Sequence, residues 1–291
     1  MIEIFAYAKI NLFLDIQKKR EDGYHDIISV MQTVDWCDKI YLRRNDEKKI
    51  HLTCSEPQLP TDEKNTAYKA AKLFLERIQS RDGWDIIIEK HIPHEAGMAG
   101  GSADAAATLK GLNRIYKEPL SERELLELGK QIGADVPFCI VGGTKLTMGI
   151  GEQMDPFPPM PDCFLVCAKM GEGISTPRAY MELDKRHADF KEYFPHTETL
   201  DILRRSFDAA SLRGMTEGTY NIFEEVTAEK HPAVKMLKQR LREQGAIAAM
   251  MSGSGPSVFG VFEKRVDAER ACEQLRELGA ISKVCSPVHN I

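Results

Sequence analysis

The stretch Pro93-His94-Glu95-Ala96-Gly97-Met98-Ala99-Gly100-Gly101-Ser102-Ala103-Asp104-Ala105-Ala106 constrains this chain most. A strand-like run from Trp84 to Glu89 leads in through Pro93, and an alanine-rich helix leads out. A fold built around it must place a glycine bend between a strand and a helix. The N-terminus of a helix carries unpaired N–H groups and about half a positive charge. Glycines let the backbone approach a phosphate without Cβ clashes. The stretch therefore points to a phosphorylated ligand such as a nucleotide. It holds neither a Walker GxxxxGK[ST] string nor a GxGxxG fingerprint. Taken alone, it reads equally well as a glycine turn capped by Ser102.

The chain has 291 residues, a length for one large or two medium domains. Its net charge of −5 argues against a general nucleic-acid binder but leaves room for a local basic pocket. The cysteines number seven and no CxxC occurs, so reduced thiols in a cytoplasmic protein are expected rather than a disulfide framework. The start at Met1 has no basic and apolar leader, and no run reaches membrane-spanning length.

Periodicity predicts strands over Ile2–Ala8, Ile10–Ile16 and Ile27–Arg43, with a turn at Glu21-Asp22-Gly23. Asn65 caps a helix with Ala67, Ala70, Ala71, Phe74, Leu75 and Ile78 on one face. Ser121 and Glu124 form a capping box for a helix that Gly133 ends. A strand is expected from about Val136 to Thr147, and another over Cys163–Ala168. The proline-rich run Asp155–Pro161 marks the boundary between them. Residues 176–230 read as mostly helical. The tail then reads helix (Pro232–Gln244), strands (Ala246–Met251, Ser257–Phe262), helix (Asp267–Leu278) and strand (Ser282–Cys285), a ferredoxin-like order.

Other groups carry chemistry only in company. Lys9 and Asn11 point the same way from a strand, either to solvent or into a cleft. Asp135, in Gly133-Ala134-Asp135-Val136-Pro137, either caps a junction or, if it faces Lys9, accepts a proton from a substrate hydroxyl. Tyr24 and His25 lie in a turn and are either surface groups or a platform for a flat base. Ser252-Gly253-Ser254-Gly255 is either a flexible hairpin or a second phosphate nest. His91 and His94 have metal-ligand spacing but no third ligand nearby, so no zinc site is expected.

Together, Ala8-Lys9-Ile10-Asn11, Pro93–Ala106 and Ser252–Gly255 resemble the three ordered motifs of the GHMP kinase superfamily. Asp22–His25 and Gly133–Pro137 look like its branch acting on a cytidyl-linked methylerythritol in the non-mevalonate isoprenoid pathway. The resemblance runs from residue 5 to about residue 288. It implies an α+β fold of two domains: a ribosomal-S5-domain-2-like domain over residues 1–158 and a ferredoxin-like domain over 159–291. It implies ATP and Mg2+. Lys9 and Asp135 would be the catalytic pair, with Asp135 the base. Asn65 and Thr66 would lie beside the adenine. Pro93, Ala96, Gly97, Met98, Ala99, Gly100, Gly101, Ser102 and Ala103 would form the ATP site, with Ser102 a candidate metal or phosphate contact. Asn11, Tyr24, His25, Thr176, Tyr180, Ser252, Gly253, Ser254 and Gly255 would bind the substrate, Tyr24 stacking on cytosine and His25 bonding its edge.

The partner so implied is a small cytidyl compound, with no nucleic acid or membrane, and the protein a monomer or weak homodimer. Mevalonate, phosphomevalonate and homoserine are alternative acceptors, for which a Tyr24–His25 pair has no purpose. A non-catalytic nucleotide-binding module would not need both Lys9 and Asp135. His94-Glu95 stands where the family has small or apolar residues. A carboxylate there would repel a triphosphate, so Glu95 is expected to face solvent or pair with a cation such as Lys90. Ala99 and Ala103 replace the more usual Gly and Ser, harmlessly unless Ala99 takes a positive φ.

Overall fold

The structure is a computed structural model that describes residues 1–227 and 230–291. It opens with two long strands, β1 (Ile2–Lys19) and β2 (His25–Asn45), joined as a hairpin through the turn at Asp22 and Gly23. Where two short strands were expected, β1 runs unbroken. Register shifts at Tyr7/Lys9, Asn11/Phe13 and Ile16/Lys18 absorb the irregularity. Such bulges re-aim side chains, and two of them bracket Lys9 and Asn11.

Next come β3 (Ile50–Cys54), α1 (Thr66–Arg77), β4 (Gly83–Glu89), α2 (Gly100–Ile115) and α3 (Glu122–Ile132). Asn65 caps α1 by accepting from the Ala67 N–H at 2.9 Å. Phe74, on its inward stripe, is fully buried, which contributes about 2 kcal/mol of transfer free energy. Ser121 and Glu124 make the reciprocal capping box of α3, and Gly133 is its C-cap.

One expectation fails here. Val136–Val141 is not strand but a short helix, α4, and β5 (Thr144–Gly149) begins only after it. A short apolar run buried on all sides has no period to betray its state. Pro137 stands in the first turn of α4, where a missing N–H costs nothing.

After β6 (Gln153–Pro156) the chain leaves the first sheet and enters the second at β7 (Phe164–Lys169). Then follow α5 (Thr176–Arg186), a 3-10 turn (Ala188–Phe190), α6 (Thr197–Asp208), α7 (Met215–Gly218), β8 (Tyr220–Asn221) and α8 (Glu224–Thr227). The mostly helical reading of 176–230 thus missed β8, which returns to lie parallel to β1 at Phe13 and Leu14. Residues 228 and 229 of that segment lie outside the described residues. The tail forms α9 (Pro232–Glu243), β9 (Ala248–Met251), β10 (Val258–Phe262), α10 (Arg265–Glu277) and β11 (Ile281–Cys285), the order expected.

The first sheet has the order β3-β4-β2-β1-β8, with β5 beside β2 and β6 on β5. The second has the antiparallel order β11-β7-β10-β9. Strand β7 shows how the two share their apolar surface. Val166 and Ala168 pack with Val234, Leu237 and Leu241 of α9 and Leu275 of α10. Leu165 and Cys167, on the opposite face, join the core of the first sheet. This leaves the N-terminal end of α2, α4 and the β9–β10 loop gathered around the middle of β1.

Candidate active site

The glycine loop enters α2 without a side-chain cap. Its N-cap is Ala99, in the left-handed region at φ 57° and ψ 32°. Ser102 lies inside the first turn, so the reading of a turn capped by Ser102 does not hold. The left-handed backbone explains why glycine suits position 99, where alanine costs about 1–2 kcal/mol. The first N–H groups of α2 stay free of any capping side chain and can face an anion.

A second glycine loop, Ser252–Gly255 between β9 and β10, braces the first. A Cβ on Gly97 would stand 2.1 Å from the Ser252 carbonyl oxygen, so only glycine lets the two backbones touch. Ser252 donates its hydroxyl to the Gly97 carbonyl at 2.9 Å and accepts the Asn11 N–H at 3.2 Å. The Lys9 N–H donates to the Met98 carbonyl at 3.2 Å, and Ser257 N–H to that of Ala96 at 3.3 Å. Asn221 on β8 donates to the carbonyls of Met251 and Gly253. Strand β1 and both loops are thereby laced into one unit.

Lys9 is buried, and its Nζ donates to Asn11 Oδ1 at 2.7 Å. Asn11 Nδ2 in turn donates to Ser29 Oγ at 2.9 Å. Asp135 occupies the N-cap position of α4 but makes no capping bond, which leaves its carboxylate free. Its Oδ2 lies 3.5 Å from Lys9 Nζ, with the Asp135 side chain 30% exposed. A buried ammonium thus faces a carboxylate that still reaches solvent.

Two cavities meet at that carboxylate. The larger, about 660 Å³, is walled by Lys9, Asn11, Tyr24, His25, Ser102, Asp135, Thr176, Tyr180, Gly253 and Ser254. The smaller, about 370 Å³, is walled by Asn65, Thr66, Pro93, Ala96, Gly97, Ala99, Gly100, Gly101, Asp135 and Thr176. Asp135 and Thr176 belong to both. Four expected site residues stand apart from both cavities. Met98, Ala103 and Ser252 are buried behind the cavity walls and act through backbone or packing. Gly255 lines a shallower recess beside Ile174 and Ser254. Ser102 opens onto the larger cavity rather than the glycine-loop cavity.

At the far end of the larger cavity the Tyr24 side chain is exposed on the rim, while His25 is buried. The His25 ring stacks on Tyr180 with centroids 4.7 Å apart and planes 17° from parallel. Burial raises the Tyr180 phenol well above its ordinary pKa, helped by the charge on Asp135, so it stays neutral. Thr176 and Ser254 share a hydrogen bond of 2.8 Å across the cavity mouth. The sequence reading missed Asp184, whose Oδ1 lies 2.6 Å from His25 Nε2. Its signal was present: Thr176, Tyr180 and Asp184 recur at helical spacing on one face of α5.

Glu95 is exposed at the edge of the glycine-loop cavity, with His94 Nε2 at 3.5 Å and the Lys169 ammonium also acting on it, and it does not pair with Lys90. Lys90 is buried between Asp38 and Asp104, with the latter 2.8 Å away. The Asp104 Oδ1 atom has no hydrogen-bond partner among the described residues. Thr66 Oγ1 donates to the Gly101 carbonyl at 2.6 Å and pins α1 to the glycine loop. Among the described residues no cluster of three His, Cys, Asp or Glu side chains could hold a metal.

Comparison with known proteins places these features in context. The family described as GHMP kinases N terminal domain matches residues 65–143, and GHMP kinases C terminal matches 201–281. A 4-diphosphocytidyl-2-C-methyl-D-erythritol kinase of Listeria monocytogenes is 45% identical over 94% of this chain and 92% of its own. One from Caldicellulosiruptor saccharolyticus is 42% identical over 93% of this chain and 91% of its own. A crystal structure of 4-(cytidine 5'-diphospho)-2C-methyl-D-erythritol kinase superposes with a TM-score of 0.79 at 30% identity, covering 98% of this chain and 99% of that one. A homoserine kinase from Cytophaga hutchinsonii shares the fold, with a TM-score of 0.78 at 20% identity over 99% of this chain and 95% of its own.

Proposed function

Since the chain belongs to the GHMP kinase family, and within it to the 4-diphosphocytidyl-2-C-methyl-D-erythritol kinases, we infer that it uses ATP to phosphorylate the 2-hydroxyl of that cytidyl compound, a step of the non-mevalonate isoprenoid pathway. The observation that carries the site assignment is the shared wall: Asp135 and Thr176 line both cavities. A donor in the glycine-loop cavity and an acceptor in the larger one would meet at Asp135.

Phosphoryl transfer asks mainly for positioning and charge stabilisation, because its transition state is loose. In our reading the triphosphate lies on the free N–H groups of Ala99–Ser102 at the head of α2, with the adenine near Asn65 and Thr66. Asp135 takes the proton of the acceptor hydroxyl. Lys9, 3.5 Å away, holds that carboxylate in place and offsets charge on the transferring group. Asn11 orients the acceptor, while Tyr24, His25, Thr176 and Tyr180 hold the cytidyl end. The Ser252–Gly255 loop closes over the acceptor from the other side.

Magnesium would neutralise phosphate charge when it arrives on the nucleotide. The residues fit an ion held chiefly by phosphates and water, since Ser102 offers a single hydroxyl to the cavity and no ligand cluster surrounds it among the described residues. We also propose residues 1–158 and 159–291 as the two working domains.

The test is an ADP-release assay with the cytidyl compound, mevalonate and homoserine run in parallel. Turnover confined to the cytidyl compound is expected. Turnover of mevalonate or homoserine without it would overturn the assignment.

A further inference from the structure

We infer that Asp184 is a positioning residue that fixes which ring nitrogen of His25 meets the nucleobase, and so makes this pocket select cytosine over uracil. The inference rests on the cytidyl reading above and deepens it.

His25 Nε2 lies 2.6 Å from Asp184 Oδ1. A carboxylate can only accept, so in a neutral imidazole Nε2 must carry the proton. Asp184 is itself held as a carboxylate anchor: Lys19 Nζ donates to its Oδ2 at 2.8 Å and to Asp189 at 2.6 Å. The ring cannot readily turn over. Tyr180 stacks on its face, and Phe190 meets it edge-on at 5.7 Å and 78°. The remaining nitrogen, Nδ1, has no hydrogen-bond partner among the described residues. Nor is it among their sealed, unpartnered side-chain atoms, which are Thr33 Oγ1, Trp84 Nε1, Asp104 Oδ1 and Ser257 Oγ. Since His25 lines the larger cavity, Nδ1 is the nitrogen left for a ligand, and it is an acceptor.

Cytosine presents one donor on its pairing edge, the 4-amino group; its N3 and O2 both accept. An accepting Nδ1 therefore meets the 4-amino group. Uracil in the same pose would place a carbonyl oxygen there, lone pair against lone pair, and neither group would have a partner. A site built around a specific hydrogen bond rejects an analogue that cannot make it far better than an apolar wall does.

The experiment compares kcat/KM for the cytidyl substrate and its uridyl analogue in the wild type, Asp184→Ala and Asp184→Glu. We expect Asp184→Ala to lower the cytidyl preference at least about tenfold, through KM for the cytidyl substrate with kcat little changed. Asp184→Glu should restore much of the preference by returning an acceptor. A loosened α5 would instead lower thermal stability and kcat while leaving the preference intact, and that result would overturn the inference. Nitrogen-15 NMR of the wild-type histidines needs no variant to fold. It should show His25 as the neutral Nε2–H tautomer; an Nδ1–H tautomer or an imidazolium at neutral pH would also overturn it. If the wild type did not turn over the cytidyl compound at all, the function assignment would fail, and the tautomer would still be read independently.

Discussion

Lys9 Nζ stands 3.5 Å from Asp135 Oδ2, at the point where the two cavities share a wall. One partner comes from the bulged middle of β1 and the other from the head of α4. The ammonium donates to Asn11 Oδ1 and stands beside the Asp135 carboxylate, so Asn11 fixes the position from which Lys9 faces it.

Asp135→Asn keeps the shape and removes the base. It should lower kcat by about a hundred- to ten-thousandfold while nucleotide affinity changes little. Steady-state kinetics with calorimetric ATP titration check this. A variant that kept near wild-type kcat would remove Asp135 from the role of base.

Tyr24→Ala removes an exposed ring at the cavity rim. Loss of base stacking is worth about 1–3 kcal/mol, so KM for the cytidyl substrate should rise roughly 5- to 160-fold. The melting temperature should hold, because no core contact is lost. An unchanged KM would place the cytosine elsewhere.

Gly97→Ala tests the backbone-to-backbone contact of the two glycine loops. At φ 72° an L-residue is strained, by about 1–2 kcal/mol. The added Cβ would also meet the Ser252 carbonyl at 2.1 Å. Thermal or chemical denaturation should show a loss of at least about 2 kcal/mol, with ATP affinity falling alongside. A fully stable variant would show that the loops can part at no cost.

Asp104 gives a pH signature. Burial and the neighbouring Asp38 push its carboxyl up to about 7 against the opposing pull of Lys90. An unfolded aspartate titrates near about 3.9. Between those values the folded state binds the extra proton, so this group makes stability fall as pH rises through the window. Asp104→Asn cannot titrate, and its unfolding free energy should fall less, or rise more, with pH between ~4 and ~7 than that of the wild type. Denaturant titrations across that range check it; equal slopes would reject the assignment.

Much of the fold was legible because its signals are local. Asn65, the Ser121–Glu124 box and Gly133 set helix ends through bonds to neighbours two to four residues away. The tail order from α9 to β11 follows from periodicity within each segment. Val136–Val141 was not legible, since uniform burial erases the period that separates helix from strand. Nor was β8, a two-residue strand defined wholly by its partner β1.

By itself, the sequence determined the glycine loop, the charged and aromatic groups able to do chemistry, and their order along the chain, and these together carried the family resemblance. Tertiary structure alone decided which of them meet. It brought Asp135 to Lys9, seated Ser252 on Gly97, turned Lys90 toward Asp38 and Asp104 rather than Glu95, and set Asp184 behind His25. Propensity and capping act over one or two turns of chain. Which distant carboxylate faces which cation depends on how two sheets bury their shared face, and that is a property of the packed whole.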